Sequence, residues 1–180
     1  MPKRAMLRKQ LVKAWSCTIK EKYDEEQLIN SERGLQIYFC HELLKAFGES
    51  GKERRIFVEP CVKSVDGRRY PDLLICNAHR IIGVVEIKYL PRGKPKYDKD
   101  FDTLSFFATH PGGLTVSNDR YRGVSVKKRA FQLADDAVLC WAGVYTGERL
   151  NLRLDEPHGD RFLQLDALTV NDGKPTICQE

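Results

Sequence analysis

Three charged residues interrupt the most apolar part of the sequence, and they are the first candidates for chemistry. Asp72 lies in one apolar stretch, and Glu86 and Lys88 lie at the end of the next. If the two stretches are antiparallel strands and the turn between them is centred on residue 79, Asp72 and Glu86 face each other. Like charges placed opposite each other destabilise a strand pair. The pattern therefore predicts a positive partner such as a divalent cation, with Lys88 on the same face as Glu86 because side chains alternate.

The strands that must hold these residues form a predicted three-stranded meander. Residues 70–76 and 81–87 are rich in large apolar side chains, and the residues between them fit a short turn. A preceding strand at 55–63 pairs with 70–76 through a turn signal at 65–68, and Pro60 marks a bulge or an edge within it. The last two strands are apolar on both faces, which predicts that helices cover both sides of the sheet.

A helix is predicted before the meander. Asp24 and Gln27 have the spacing of an N-terminal capping pair, and Gly48 and Gly51 end the helix. Residues 30–31 (Asn-Ser) could restart the helix, so one long helix or two short ones both fit the pattern. The apolar positions at helical spacing are Leu28, Leu35, Phe39, Leu43 and Ala46.

Glu32 falls on the apolar stripe of this helix, where a carboxylate needs a partner. One interpretation is that Glu32 pairs with Arg33 or Arg55 at a helix end. The other is that it points toward the carboxylates of the hairpin. Glu42 is a rival candidate, but it lies off the stripe.

The rest of the chain adds helices and strands around this centre. Residues 5–20 predict a short amphipathic helix that packs on the core, and 137–146 predict a buried strand. Residues 114–135 fit either a loop or a small strand pair, and the alternation within 149–170 predicts a further hairpin. A helix at 98–109 is predicted to turn inward the side chains of Phe101, Leu104, Ser105 and Ala108.

These elements predict a single α/β domain of 180 residues. Its αβββαβ core at 24–146 has a central mixed sheet flanked by helices, with an accessory helix at 1–20 and a C-terminal β extension at 149–180. No apolar run reaches the roughly 18 residues of a membrane span, and no secretory signal is expected. The six cysteines form no C-x-x-C pair, which favours reduced thiols and a cytoplasmic location.

The charge distribution suggests a polyanionic partner. The net charge is +5, and Arg92, Lys94 and Lys96 follow directly on the apolar hairpin. Each basic group alone is typical of a solvated surface, but this one lies beside the paired carboxylates. These three residues are therefore candidates for contact with the anionic groups of such a partner.

The order of elements and charged residues resembles the PD-(D/E)xK nuclease superfamily, which includes type II restriction enzymes, archaeal Holliday junction resolvases and RecB-type nuclease domains. The matching residues are Pro71-Asp72 and Glu86-Ile87-Lys88, with Glu32 in the place of the family's helix glutamate. The resemblance covers roughly residues 24 to 146 and assigns no subfamily. It implies a restriction-endonuclease-like fold.

The resemblance also implies a function, a metal-dependent nuclease acting on DNA. Asp72, Glu86 and the backbone carbonyl of Ile87 would hold Mg²⁺, for which Mn²⁺ can substitute, and the metal would lower the pKa of the attacking water. Lys88 would orient or help deprotonate this water, with a pKa that metal and burial could depress. Glu32 would orient the metal's water shell or hold a second ion.

Two other interpretations stay open at this point. In one, the chain keeps a nuclease fold but acts as a non-catalytic nucleic-acid-binding or assembly module. In the other, Glu86 and Lys88 form an ordinary ion pair on a half-exposed strand. A homodimer or a protein partner is possible in each case.

Overall fold

The computed structural model describes residues 4–64, 67–110, 112, 114–117, 130–170 and 174–179. Helices flank a central mixed sheet, so the predicted α/β class is confirmed. The helices are α1 (Ala5–Cys17), continued by a π-helical segment (Thr18–Glu25), α2 (Glu32–Glu49), α3 (Asp98–Thr109) and a 3-10 turn (Gly159–Arg161). The strands are β1 (Arg55–Val58), β2 (Val62–Ser64), β3 (Gly67–Arg69), β4 (Leu73–Cys76), β5 (Arg80–Leu90), β6 (Thr115–Ser117), β7 (Ala130–Thr146), β8 (Phe162–Thr169) and β9 (Thr176–Gln179).

Within the described residues, nine strands form one sheet. Its path runs β1-β4-β5-β7-β6-β2-β3, while β8 pairs with β7 and β9 pairs with β8. The strands β5, β7 and β8 are parallel neighbours, and the other pairs are antiparallel. Their three carboxyl ends therefore lie at one edge of the sheet, which is where ligands commonly bind in open α/β sheets.

Both faces of the sheet are buried, as the sequence predicted. Leu73 and Ile75 of β4 pack with α1 and α2 on one face, whereas Leu74 packs with α3 on the other. Val84 of β5 also belongs to the α3 face, so the alternation of side chains places Glu86 on that face as well. Helix α1 contributes its predicted stripe to the core, with Leu7, Leu11, Ala14 and Trp15 all buried.

The hairpin of β4 and β5 has the register that the sequence predicted. Leu73 lies opposite Val85, so the same register continued by one residue places Asp72 opposite Glu86. The register shifts beyond Ile75, close to the turn, where an irregularity is accommodated. The end of the hairpin that carries the carboxylates therefore keeps its predicted pairing.

The predicted strand at 55–63 is divided in two. Its first part, β1, pairs with β4, and its second part, β2, pairs with β3. Glu59 lies between them with a left-handed φ of 45°, directly before Pro60, which confirms the predicted irregularity. Of the predicted turn at 65–68, residues 65 and 66 lie outside the described residues.

Helix α2 begins later than the pair Asp24 and Gln27 predicts. Gln27 has a left-handed φ of 52°, which ends helical geometry there, and Ser31 caps the new helix by accepting a hydrogen bond from the amide of Gly34 at 3.1 Å. The restart at 30–31 is therefore correct, and the long helix is wrong. Leu28 lies before α2 and is 45% exposed, so it does not belong to a buried stripe.

The predicted hairpin within 149–170 is also wrong. Residues 149–155 form no strand, and β8 pairs with β7 and β9 instead. The buried side chain of Gln164 explains this. Its amide accepts from the Leu152 amide at 3.3 Å and donates to the Leu150 carbonyl at 2.7 Å, so it replaces backbone pairing and lets an irregular segment pack on the sheet.

Three further expectations have structural outcomes. The uncertain region 114–135 contains a small strand pair, β6 with the start of β7, although 118–129 lie outside the described residues. All six cysteines are free thiols. No helix in the described ranges has both the length and the apolar character needed to cross a membrane.

Candidate functional site

Three residues contact Asp72 through hydrogen-bonding groups. The side-chain Oδ2 of Asp72 accepts a hydrogen bond from the amide of Ile87 on β5 at 2.6 Å. Its carbonyl accepts from the amide of Glu59 at 2.8 Å and lies 3.4 Å from Nε2 of Gln36, a buried residue of α2. The residue that follows Pro71 is therefore fixed against β5, with its carboxylate next to Glu86.

Asp72 and Glu86 lie side by side, and both carboxyl groups have raised pKa values. Burial raises the pKa of Asp72 from 3.8 to about 6, with the charge of Glu32 adding to the effect. Burial and the facing Asp72 charge raise the pKa of Glu86 well above its usual range. A hydrogen bond between the two carboxyls accompanies these shifts, as expected for like charges forced together.

One oxygen of this pair has no hydrogen-bond partner. Glu86 is only 6% exposed, and its Oε1 is buried without a donor nearby. A buried carboxylate oxygen without a donor is costly, and the second carboxylate beside it adds repulsion. A divalent cation with hard oxygen ligands would relieve both, so the residues present fit Mg²⁺ or Mn²⁺.

The metal site, if filled, has few protein ligands. Among the described residues, no group of three or more His, Cys, Asp or Glu side chains is arranged to hold a metal ion. The oxygen donors are Asp72 and Glu86, with the predicted backbone carbonyl of Ile87 between Glu86 and Lys88. Such a set suits Mg²⁺, which is usually bound through one or two carboxylates and keeps several waters.

Lys88 is paired with a carboxylate that the sequence did not reveal. Its Nζ lies 3.1 Å from Oδ2 of Asp100 on α3 and 3.4 Å from Oδ1. Burial alone would lower the Lys88 pKa, but the hydrogen bond and charge of Asp100, with the charges of Glu32 and Asp72, raise it overall. In the metal-free protein, the surrounding carboxylates therefore outweigh the effect of burial on the amine.

Asp100 was not predicted as a site residue, because the predicted buried face of α3 differs by about one position from the buried face in the structure. The buried residues of α3 are Asp100, Leu104, Phe107 and Ala108, whereas Phe101 and Ser105 are only half-buried. Leu104, Phe107 and Ala108 lie four, seven and eight residues after Asp100, which is the spacing of residues on one face of a helix. A carboxylate on a buried stripe was therefore the signal that could have identified it.

Glu32 reaches the same strand from the other side. It is the first residue of α2, and its Oε2 accepts a hydrogen bond from the amide of Tyr89 at 3.2 Å. Of the alternative partners, Arg33 pairs with Glu59 and Arg55 pairs with Glu53. Glu32 is exposed rather than on a buried stripe, so the predicted burial was wrong, although its carboxylate does contact β5 of the hairpin.

Glu42, the rival of Glu32, lies elsewhere. It is 3% exposed and forms an ion pair with Lys45 at 2.9 Å one turn along α2. Its charge is thus compensated locally, and it makes none of the described contacts with Asp72, Glu86 or Lys88.

The basic loop lies at the carboxyl edge of the parallel strands. Arg92, Lys94 and Lys96 are all exposed. Two hydrogen bonds hold the backbone of the loop. The Gly93 carbonyl accepts one from the amide of Thr146 at 3.2 Å, and the Pro91 carbonyl accepts one from the hydroxyl of Thr169 at 2.6 Å. Three cations are therefore presented from a fixed loop at the edge where Glu86 and Lys88 lie.

Comparisons of the chain with protein-family models, with curated proteins and with solved structures found no significant match.

Proposed function

We propose that the protein is a Mg²⁺-dependent nuclease that hydrolyses phosphodiester bonds, with DNA as its substrate. The observation that carries the proposal is the strand register that places Asp72 opposite Glu86, with one buried Glu86 oxygen left without a donor. Such a pair is costly in a purely structural strand. A divalent cation bound by both carboxylates would offset this cost.

Each residue of the site would have a role that follows from its chemistry. Asp72, Glu86 and the carbonyl of Ile87 would hold the metal, which when bound would supply Lewis-acid activation of water and phosphate. The hydrogen bond from the Ile87 amide fixes the Asp72 carboxylate for this task. Glu32, held on the Tyr89 amide, would orient water around the metal.

Lys88 would orient or help deprotonate the attacking water, or stabilise negative charge on the phosphate. Asp100 holds the ammonium on the site face through the 3.1 Å ion pair. Arg92, Lys94 and Lys96 would contact neighbouring phosphates from the fixed loop.

The resemblance to the PD-(D/E)xK superfamily supports the nuclease proposal and favours DNA over RNA. The restriction-endonuclease-like αβββαβ arrangement is compatible with the mixed sheet and its helices. Pro71-Asp72 directly precedes β4, and Glu86-Ile87-Lys88 lies on its partner β5, which suits the family motif. Asp100 has no counterpart in the residues that carry this resemblance.

A screen of substrate shapes tests the proposal. Purified protein is incubated with Mg²⁺ or Mn²⁺ and with plasmid, single-stranded DNA, branched DNA and RNA. Wild-type protein should cleave at least one DNA substrate, chelation should abolish cleavage, and Asp72→Ala and Lys88→Ala should be folded but inactive. Asp102→Asn, which removes an exposed carboxylate of α3, is the matched control. Intact substrates throughout with Mn²⁺ present would rule out the enzyme.

The second candidate function is a non-catalytic nucleic-acid-binding or assembly module. The Lys88–Asp100 ion pair favours it, because a lysine held by a carboxylate also suits a static role. This candidate predicts salt-sensitive DNA binding that survives Asp72→Ala without any metal-dependent cleavage.

A further inference from the structure

A cleft of about 600 Å³ opens at the carboxyl edge of the parallel strands, next to the proposed site. Tyr89 lines it from β5, Thr146 from the end of β7 and Thr169 from the end of β8, while Tyr23 lines it from the π-helical segment. The volume lies within the range of pockets that bind small organic groups. It is large enough for one nucleotide.

The lining has the chemistry that holds a planar base and its phosphate. The rings of Tyr23 and Tyr89 lie edge to face with centroids 6.2 Å apart. Tyr89 is held in place because its hydroxyl donates to the Ile29 carbonyl at 2.9 Å. Arg92, the first cation of the basic loop, lines the same cleft and supplies positive charge for a phosphate. Aromatic faces beside a cation are typical of sites for single-stranded nucleic acid.

The cleft and the site share one strand. Lys88 points to the α3 face and Tyr89 to the opposite face, because side chains alternate along β5. The Tyr89 amide donates to Glu32, so the two places are linked through the same backbone. A polynucleotide with its phosphate at the site can therefore place the next nucleotide in the cleft only by turning over the edge of the sheet.

We infer that this cleft binds an unpaired nucleotide next to the phosphate that is cut, so that the substrate is single-stranded DNA or DNA with an unpaired flank. The inference rests on the proposed function for the location of the phosphate. A base in a duplex would first have to leave its stack and its partner. An unpaired base enters without that cost and gains stacking on Tyr23 or Tyr89.

Binding in the absence of metal separates this inference from catalysis. Fluorescence anisotropy in EDTA compares a labelled oligodeoxythymidine with a blunt duplex of equal length. Tyr23→Leu should weaken single-strand binding by roughly tenfold, within the range for loss of one base–aromatic stack, and should leave duplex binding unchanged. Tyr23→Phe keeps the ring and should bind like the wild type. Tyr70→Leu, which removes an exposed tyrosine outside the cleft lining, should also have no effect.

A second measurement needs no variant and so guards against misfolding of Tyr23→Leu. Wild-type protein is photocrosslinked to an oligonucleotide that contains 4-thiothymidine, and the attachment sites are mapped by mass spectrometry. Attachment within 23–29 or 89–92 supports the inference. Attachment only elsewhere, or equal weakening of single-strand and duplex binding by Tyr23→Leu, overturns it.

The outcomes also distinguish the inference from the proposed function. Tyr23-dependent single-strand binding without any cleavage would keep the cleft and remove the nuclease. Cleavage that needs Asp72 but is indifferent to Tyr23 and to unpaired nucleotides would keep the nuclease and remove the cleft.

Discussion

Replacing Asp72 by Asn should stabilise the metal-free protein at neutral pH. The carboxylate faces Glu86, and its burial raises its pKa from 3.8 to about 6, a shift of about two pH units. At 1.36 kcal/mol per unit, the charged form costs the folded state roughly 3 kcal/mol. Asn keeps an oxygen that can accept the hydrogen bond from Ile87 and gains an amide that can donate to Glu86, so most of this cost should be recovered.

The sign of the pH dependence follows from the raised pKa. A carboxyl that binds its proton more tightly in the folded state stabilises that state below the unfolded pKa of about 4, and this contribution is lost as the pH rises through about 6. Asp72→Asn and the wild type should therefore be equally stable near pH 4. The variant should become more stable as the pH rises toward 8.

Chemical and thermal denaturation in EDTA at a series of pH values measure this difference. A gain of roughly 3 kcal/mol corresponds to a rise in Tm of about 6–12 °C for a chain of this size. Asp102→Asn should shift neither the free energy of unfolding nor its pH dependence. If Asp72→Asn is instead less stable at pH 8, the carboxylate is compensated within the protein, and the reasoning that leads to a cation is refuted.

The remaining predictions concern the metal, the lysine and the core. Mg²⁺ or Mn²⁺ at about 100 times its Kd should stabilise the wild type by roughly 2.7 kcal/mol in a thermal-shift assay, whereas Glu86→Gln should lose this response; an unchanged response would place the metal elsewhere. Asp100→Asn should lower kcat by about tenfold or more with little change in KM, because Lys88 loses its charged partner; a change confined to KM would indicate a role in substrate binding instead. Gly143→Ala should destabilise the protein by roughly 1–3 kcal/mol or more in urea denaturation, because its Cβ would lie 2.2 Å from Cη2 of Trp141; wild-type stability would mean that the ring can move aside.

The strands were predictable because their signals are local. Two apolar runs joined by a short turn can pair in only a few registers, and a turn centred on residue 79 selects the one that places Asp72 opposite Glu86. The break near Pro60 was visible for the same kind of reason, since proline lacks the amide that a strand needs. Helix starts were harder, because Asp24 and Ser31 both offer a capping side chain and only the left-handed Gln27 decides between them.

The tail shows a different limit. The alternating leucines of 150–154 look like a strand, and two of them, Leu152 and Leu154, are indeed buried. The Leu152 amide and the Leu150 carbonyl are nevertheless bonded to the side chain of Gln164, from a strand more than ten residues away. A hydrophobic pattern records which side chains are buried, but it does not record what pairs with the backbone.

For the candidate site, the sequence by itself predicted that Asp72 faces Glu86, given a turn centred on residue 79. The strand pair has that register at the end that carries the carboxylates. The tertiary structure alone decided that Asp100 reaches Lys88 across the α3 interface and that Glu32 reaches the Tyr89 amide from the start of α2. These contacts depend on how helices pack across a sheet, which is set by the fit of many distant side chains rather than by any local pattern.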